Sequence, residues 1–398
     1  MKKYLAGLYA RYVIGRENKY FAAPVASQSD MLRRLITTAE NTSFGREHRF
    51  CEIKNYADFK ERIPLCNYEN LRPYVERIAS GEHGVLWPGR PEYFAKTSGT
   101  TSGAKYIPLT REGLMCQIKA TRNMLLRYIL ATGNVGFVGG KMIFLQGSPV
   151  LNDKNGIKTG RLSGIVAHHI PFYLQSNRKP TFETNCIEDW EEKVEAIVDE
   201  TAGADMTLIS GIPSWLQMYF ERLTARTGKK IGELFPHFSL LVTGGVNFSP
   251  YRARLESMIG RKVDVLETYP ASEGFIAASD SVSGDGSLLL MVNSGIFYEF
   301  VPADRFYEEN PPRLSLEEVG TGVNYAIILS TNSGLWAYAI GDTVEFTSLR
   351  PYRIKVTGRI SHYTSAFGEH VIAAEAERSV EGAALQCGAL VSEFTLAP

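Results

Sequence analysis

The sequence has few cysteines: five in 398 residues, at Cys51, Cys66, Cys116, Cys186 and Cys387. They are odd in number, dispersed and free of CxxC spacing, which excludes a disulfide scaffold and a cysteine zinc site and makes a reducing cytoplasm the expected compartment. Net charge is also missing, because 43 Lys and Arg balance 43 Asp and Glu. No overall field therefore favours nucleic acid or an anionic membrane as a partner. Long apolar runs are absent too. The opening Met1-Lys2-Lys3-Tyr4-Leu5 meets Arg11, Arg16 and Glu17 too soon for a signal-peptide core or a spanning helix. His168-His169 has neither a spaced carboxylate nor a third histidine, so no metal centre is expected there. No repeat or low-complexity linker divides the chain, which favours one large composite domain.

What remains is a composition of 44% hydrophobic and 22% charged residues, the balance of a globular protein. Helical spacing appears over Asp30–Asn41 and Asp189–Thr201, and again after Pro213 through Leu216, Tyr219, Phe220 and Leu223. Between the helices lie short apolar runs closed by Gly or Pro, at Met142–Gly147, Met206–Gly211, Ser239–Gly245 and Val263–Pro270. They predict buried strands of an α/β sheet. From Leu288 onward consecutive strands are expected, at Leu288–Asn293, Phe297–Val301, Tyr325–Thr331, Trp336–Phe346 and Arg353–Thr357. This second region reads as antiparallel or barrel-like. A helix over Ala373–Leu385 and a strand over Ala389–Leu396 close the chain. The strand has no visible partner, which suggests the start of a further domain.

The most informative stretch is Thr97-Ser98-Gly99-Thr100-Thr101-Ser102-Gly103-Ala104-Lys105. Gly99 and Gly103 permit tight turns that direct N–H groups at a ligand, and the hydroxyls and Lys105 add donors suited to phosphate oxygens. Its spacing is not that of a Walker loop, and a flexible linker would share this composition. Val242-Thr243-Gly244-Gly245 ends an apolar strand, where paired glycines let a flat ring lie on the backbone; a simple turn would look the same. Glu267-Thr268-Tyr269-Pro270-Ala271-Ser272-Glu273-Gly274 offers an aromatic face, hydroxyls and a carboxylate suited to Mg²⁺. Trp336 to Asp342 ends in a Gly-Asp turn, where an outward Asp342 accepts hydrogen bonds from both ribose hydroxyls, or which is a plain hairpin.

Taken in order, a [ST]-S-G-T-[ST] loop, a Tyr-x-x-Ser-Glu strand end, a Tyr-x-x-Gly-Asp turn and a later Gly-Arg resemble the adenylate-forming superfamily. The wording is similar to one branch, the auxin-responsive acyl acid amido synthetases, in a bacterial-type version. The likeness extends from Thr42-Ser43-Phe44-Gly45 and Tyr56–Pro64 through Ser210–Trp215 and Gly295–Phe300 to Phe367-Gly368-Glu369. It implies a large N-terminal adenylation domain over 1–359, with mixed sheets, flanking helices and a barrel-like region. Residues 360–398 then form a hinge and the opening of a largely absent C-terminal lid.

The resemblance further implies that ATP activates a small carboxylic acid as an acyl-adenylate, which an amine, usually an amino acid, converts to an amide. Ser98, Gly99, Thr100, Thr101, Ser102, Gly103 and Lys105 would hold the polyphosphate, and Glu273 the Mg²⁺. Gly244, Gly245 and Tyr269 would sandwich the adenine, with Ala271 and Ser272 also on the nucleotide, Asp342 would clamp the ribose, and Arg359, a further nucleotide-binding residue, matches the superfamily's arginine beside the hinge. Thr101, Glu273 and Arg359 are cast as catalytic. Such a reaction needs charge neutralisation and alignment more than covalent help from protein groups. Arg122, Tyr128, Ser214 and Trp215 are candidates for the acyl pocket, though each is also compatible with ordinary packing or an ordinary surface. Ala339 stands where the family has Arg, which leaves a supporting cation in question. A CoA ligase sharing the first step, or a non-catalytic nucleotide binder, remains the alternative.

Overall fold

The Gly- and Pro-bounded apolar runs become strands in the computed structural model. It describes residues 2–97, 104–170, 175–282 and 284–360, and positions 379–380, 382–384 and 386–387. The expected elements over 373–385 and 389–396 fall mostly outside that range. In chain order the first strands are β1 (Tyr93–Thr97), β2 (Lys105–Leu109), β3 (Lys141–Phe144), β4 (Asn152–Lys154), β5 (Ile157–Gly160) and β6 (Arg178–Lys179). Then come β7 (Met206–Gly211), β8 (Leu240–Gly244), β9 (Asp264–Ala271), β10 (Gly274–Ala278) and β11 (Leu288–Leu290). The last are β12 (Ile296–Pro302), β13 (Asn324–Thr331), β14 (Tyr338–Leu349) and β15 (Tyr352–Arg359).

Eleven strands form one sheet in the order β12-β13-β14-β15-β11-β10-β9-β8-β7-β3-β6, and β2-β1-β5-β4 form a second, smaller sheet. From β6 to β9 every pairing is parallel. From β9 to β12 every pairing is antiparallel. The later strands therefore do not close into a barrel. β11 bonds to both β10 and β15, which makes them a continuation of the parallel half.

Burial follows the period of two. Along β8, Leu240 and Val242 face one apolar cluster with Met124 and Ile14, while Leu241 faces another with Leu216, Tyr219 and Leu255. The helices covering these faces begin where the sequence supplies caps. Asp189 accepts from Glu192 N ahead of Trp190–Thr201, and Pro213 opens Pro213–Thr227, which ends at left-handed Gly228. Thr110 caps Arg111–Thr132 by accepting from Gly113 N. Among the described residues no helix is long and apolar enough to cross a membrane.

The antiparallel half is fastened to the N-terminal helices by a buried ion pair. Glu299 of β12 is fully buried and receives Arg313 Nε and Nη2 at 2.9 Å each, and Tyr56 OH donates to it at 3.0 Å. The same guanidinium donates to the carbonyls of Lys60 and Ile63. Three residues on, Cys66 exchanges backbone hydrogen bonds with the start of β14, its N–H donating to Ala337 O and its carbonyl accepting from Ala339 N.

Arg313→Met would leave the Glu299 carboxylate buried and uncompensated. We expect a loss of about 3–5 kcal/mol in urea unfolding. The double variant R313M/E299M should regain most of it. A loss under about 1 kcal/mol in the single variant would show that water reaches the pair.

Candidate active site

Several of the residues singled out by sequence meet at the ends of β8, β9, β14 and β15. β8 lies beside β9 with Gly244 opposite Thr268. Glycine is required there, since a Cβ would fall 2.3 Å from Thr268 Oγ1 and 2.5 Å from Thr268 O. Gly245 follows at φ +88°, over Ile212. β9 runs on to Ala271 and β10 starts at Gly274, so Ser272 and Glu273 form the tip of a tight antiparallel hairpin.

Gly341 and Asp342 lie inside β14 and not in the expected hairpin turn. Between the pairs Ile328–Ala339 and Ala326–Thr343, one residue of β13 opposes three of β14. That mismatch is a β-bulge, with Gly341 at φ +92°. Asp342 follows the bulge and pairs across the strands with Arg359 of β15. Tyr269 OH donates to Asp342 Oδ2 at 2.6 Å, and Arg359 Nε stands 3.3 Å from Asp342 Oδ1. Arg359 Nη2 also donates to Ile340 O at 3.0 Å and crosses Gly341 so closely that a Cβ would sit 3.2 Å from it.

Burial sets the protonation of this cluster. It pushes the Tyr269 phenol well above its usual range, and the Asp342 charge adds to the effect, so the phenol stays a donor. Burial also raises the Asp342 carboxyl, opposed by the Tyr269 hydrogen bond and by Arg359. Glu273 is pushed up to about 7, chiefly by burial. Its own backbone N–H counters the shift, Asp342 adds to it, and Lys105 and Arg359 lower it.

Sequence reasoning did not single out two tyrosines near this cluster, Tyr338 and Tyr68. Tyr338 is buried, and its phenol is raised first by burial and next by the Glu273 charge. Tyr68 accepts from Tyr106 N at 2.8 Å, with the Lys105 ammonium 5.8 Å from its ring centroid. Tyr338 lay inside the quoted Trp336–Asp342 motif, but nothing local marked Tyr68, which comes from a distant helix. Lys105 is the first residue of β2, paired with Thr97 of β1. The expected ligands Ser98, Gly99, Thr100, Thr101, Ser102 and Gly103 lie outside the described residues.

The acyl-pocket candidates are not brought together. Arg122 is spent on Asn123 Oδ1 and Tyr9 OH. Tyr128 is buried, donating to Asp264 Oδ2 at 2.6 Å and accepting from Asn134 at 2.7 Å, which makes it part of the core. Trp215 packs on Trp190 with ring centroids 4.2 Å apart. Ser214 and Trp215 are both half-buried at the start of the Pro213–Thr227 helix, two and three residues beyond Ile212. His169 Nε2 lies 2.9 Å from Tyr93 OH, and no group of three metal-binding side chains occurs among the described residues.

The GH3 family N-terminal domain matches residues 15–184, and the GH3 family central domain matches residues 289–359. Jasmonoyl–L-amino acid synthetase JAR4 of Nicotiana attenuata is 22% identical over 385 residues, covering 80% of this chain and 66% of its own. Indole-3-acetic acid-amido synthetase GH3.15 of Arabidopsis thaliana is 24% identical, covering 80% of this chain and 65% of its own. The chain thus spans just under two thirds of the length of these two relatives. A solved structure of GH3.15 acyl acid amido synthetase superposes with a TM-score of 0.74 at 18% identity, covering 91% of this chain and 73% of that one. An open conformation of 2-hydroxyisobutyryl-CoA ligase with 2-HIB-AMP and CoA gives 0.61 at 13% identity, covering 89% and 79%. The structural likenesses show a common fold. Two domains of one family matched in order, joined by one continuous sheet, make this chain a member of the GH3 family.

Proposed function

We propose that this chain uses ATP to activate a carboxylic acid and passes the acyl group to an amine, in the first place that of an amino acid. A carboxylate oxygen attacks the α-phosphorus and pyrophosphate leaves. The amine nitrogen then attacks the acyl carbon, AMP leaves, and the amine gives up a proton. The observation that carries this reading is the Tyr269–Asp342–Arg359 constellation at a bulge, beside the bare Gly244–Gly245 strand end. Flat backbone there admits an adenine ring, with Tyr269, Ala271 and Ser272 at its border. Asp342, already held by one phenol and one guanidinium, has acceptor capacity left for two ribose hydroxyls. Family membership and relatives named as amido synthetases support the same reading.

In this proposal Lys105 and the Ser98–Gly103 loop neutralise the polyphosphate, Thr101 among them, and Arg359 stands at the ribose side of the reacting phosphate. Glu273 fits Mg²⁺, being a hard oxygen donor at a hairpin tip with no ion-pair partner of its own among the described residues. Bound there with phosphate oxygens and water, the ion would supply charge neutralisation.

The test is a pyrophosphate-release screen over carboxylic acids, followed by mass spectrometry with an amino-acid panel. An amide product supports the reading. A thioester formed only with CoA would make the chain a CoA ligase, and ATP binding without pyrophosphate release would make it a binder.

Asp342→Ala should fold normally yet raise the apparent KM for ATP by about ten-fold or more, as expected for losing charge-assisted hydrogen bonds of about 1.5–3 kcal/mol each. Unchanged ATP affinity in calorimetry would remove Asp342 from the nucleotide site.

Glu273 makes a second prediction through pH. Its folded pKa lies above the ordinary value of 4.5, at about 7, so ionisation opposes folding. Wild type and Glu273→Gln should have similar thermal stability at acid pH. As pH rises through this window the wild type should fall behind by up to about 3 kcal/mol and stay there. Parallel stability curves across that range would show that Glu273 titrates as an ordinary surface carboxylate.

A further inference from the structure

Lys105 and the acidic groups of the candidate site belong to different sheets. Lys105 opens β2 in the smaller sheet, whereas Asp342 lies in β14 and Glu273 between β9 and β10 of the larger one. Even so, the Lys105 charge reaches Glu273 and lowers its carboxyl. Three residues, Cys66 to Tyr68, tie the two sheets together at this point. Cys66 N–H donates to Ala337 O at 3.0 Å, its carbonyl accepts from Ala339 N at 2.8 Å, and its thiol donates to Trp336 O at 2.9 Å. These bonds hold it beside Tyr338 at the start of β14. Asn67 then caps the helix Tyr68–Ala79, accepting from Glu69 N and Asn70 N, while the Asn70 side chain accepts from Asn67 N. The cap fixes the direction of the first turn, whose opening residue is Tyr68.

β2 is the outer strand of its sheet, so every second residue turns its N–H away from β1. Tyr106 and Pro108 share that parity. Proline has no N–H to satisfy, and the Tyr106 N–H donates to Tyr68 OH at 2.8 Å. Tyr68 is 5% exposed, and burial raises its phenol, so the hydroxyl stays neutral. The Lys105 ammonium stands 5.8 Å from the centroid of the same ring, and the Arg72 guanidinium 5.7 Å. One side chain therefore holds the backbone next to Lys105 through its oxygen and faces the Lys105 cation with its ring. A lysine is a point charge on a flexible stem, so its effect on a phosphate depends on what restrains that stem. A ring that only filled space would have no use for the hydroxyl. Here the hydroxyl takes up the outward N–H that adjoins the lysine.

We propose that Tyr68 is a positioning residue, which holds Lys105 toward the polyphosphate of ATP and in fixed relation to the ribose side of β14. The proposal rests on the nucleotide reading of Lys105 given above and adds a residue that acts through it. Its test does not require turnover.

Calorimetric titration with ATP and with AMP decides it, on the full chain, Tyr68→Phe, Lys105→Ala and the double variant. Phenylalanine keeps the buried ring against Lys105 and removes only the oxygen that accepts from Tyr106 N–H. Lys105→Ala should weaken ATP binding about ten-fold and leave AMP within about two-fold, as expected for losing a charge-assisted contact to the outer phosphates. Y68F should weaken ATP about three-fold or more and leave AMP within about two-fold, with thermal melting close to that of the wild type. In the double variant ATP should bind as it does in K105A, because no ammonium is left to position. Equal weakening of ATP and AMP in Y68F would show a general loss of packing and overturn the proposal. ATP binding lowered by K105A but untouched by Y68F, or effects of the two variants that add, would overturn it and leave the reading of Lys105 intact. Unchanged ATP affinity in K105A would sink that reading, and the role of Tyr68 with it.

Discussion

The placement of the candidate site depends on one buried contact, the guanidinium of Arg313 on the carboxylate of Glu299. Desolvating two charges is costly, and it is offset here because Glu299 also takes Tyr56 OH and Arg313 also serves the Lys60 and Ile63 carbonyls. That hub fixes residues 56–63 on the antiparallel half of the sheet. The chain leaving it reaches Cys66, which clips the backbone on either side of Tyr338. Four residues after Tyr338 comes Asp342. The ion pair thereby determines where β14 begins, and with it where the Gly341 bulge presents its carboxylate.

Beyond that hub, the site is shaped by desolvation competing with pairing. Tyr269 and Asp342 are both raised by burial, yet their mutual hydrogen bond and Arg359 keep the arrangement a donor facing an acceptor. Glu273 has no such partner at close range, so burial dominates and its carboxyl sits near neutrality. A carboxylate poised in that way gains most when a cation arrives, because the cation removes the desolvation penalty and adds attraction.

Local chemistry in the sequence settled a good deal. Glycine at 244 and at 341, the apolar runs before them, the Pro213 helix start and the Asp189 cap each act over a few residues, and each was readable as such. The helices at Trp190–Thr201 and Pro213–Thr227 and the strands β7 and β8 lie close to where periodicity predicted them. The order of the motifs carried the family, because each motif sets particular residue types at a fixed place along the chain.

Only the tertiary structure decided what depends on pairing between distant strands. That Gly341-Asp342 is a bulge and not a turn follows from the mismatch of β14 with β13, which no local window contains. That the later strands extend the sheet and do not close into a barrel follows from β11 bonding to both β10 and β15. Tyr128, apolar-faced and aromatic, suited a pocket as well as a core until its hydroxyl met Asp264 across the sequence. Tyr68 came beside Lys105, and Tyr338 near Glu273, only when a helix, a hairpin and a strand converged. Residue type fixes which interactions are available to a side chain; the long-range register of the sheet selects which of them is made.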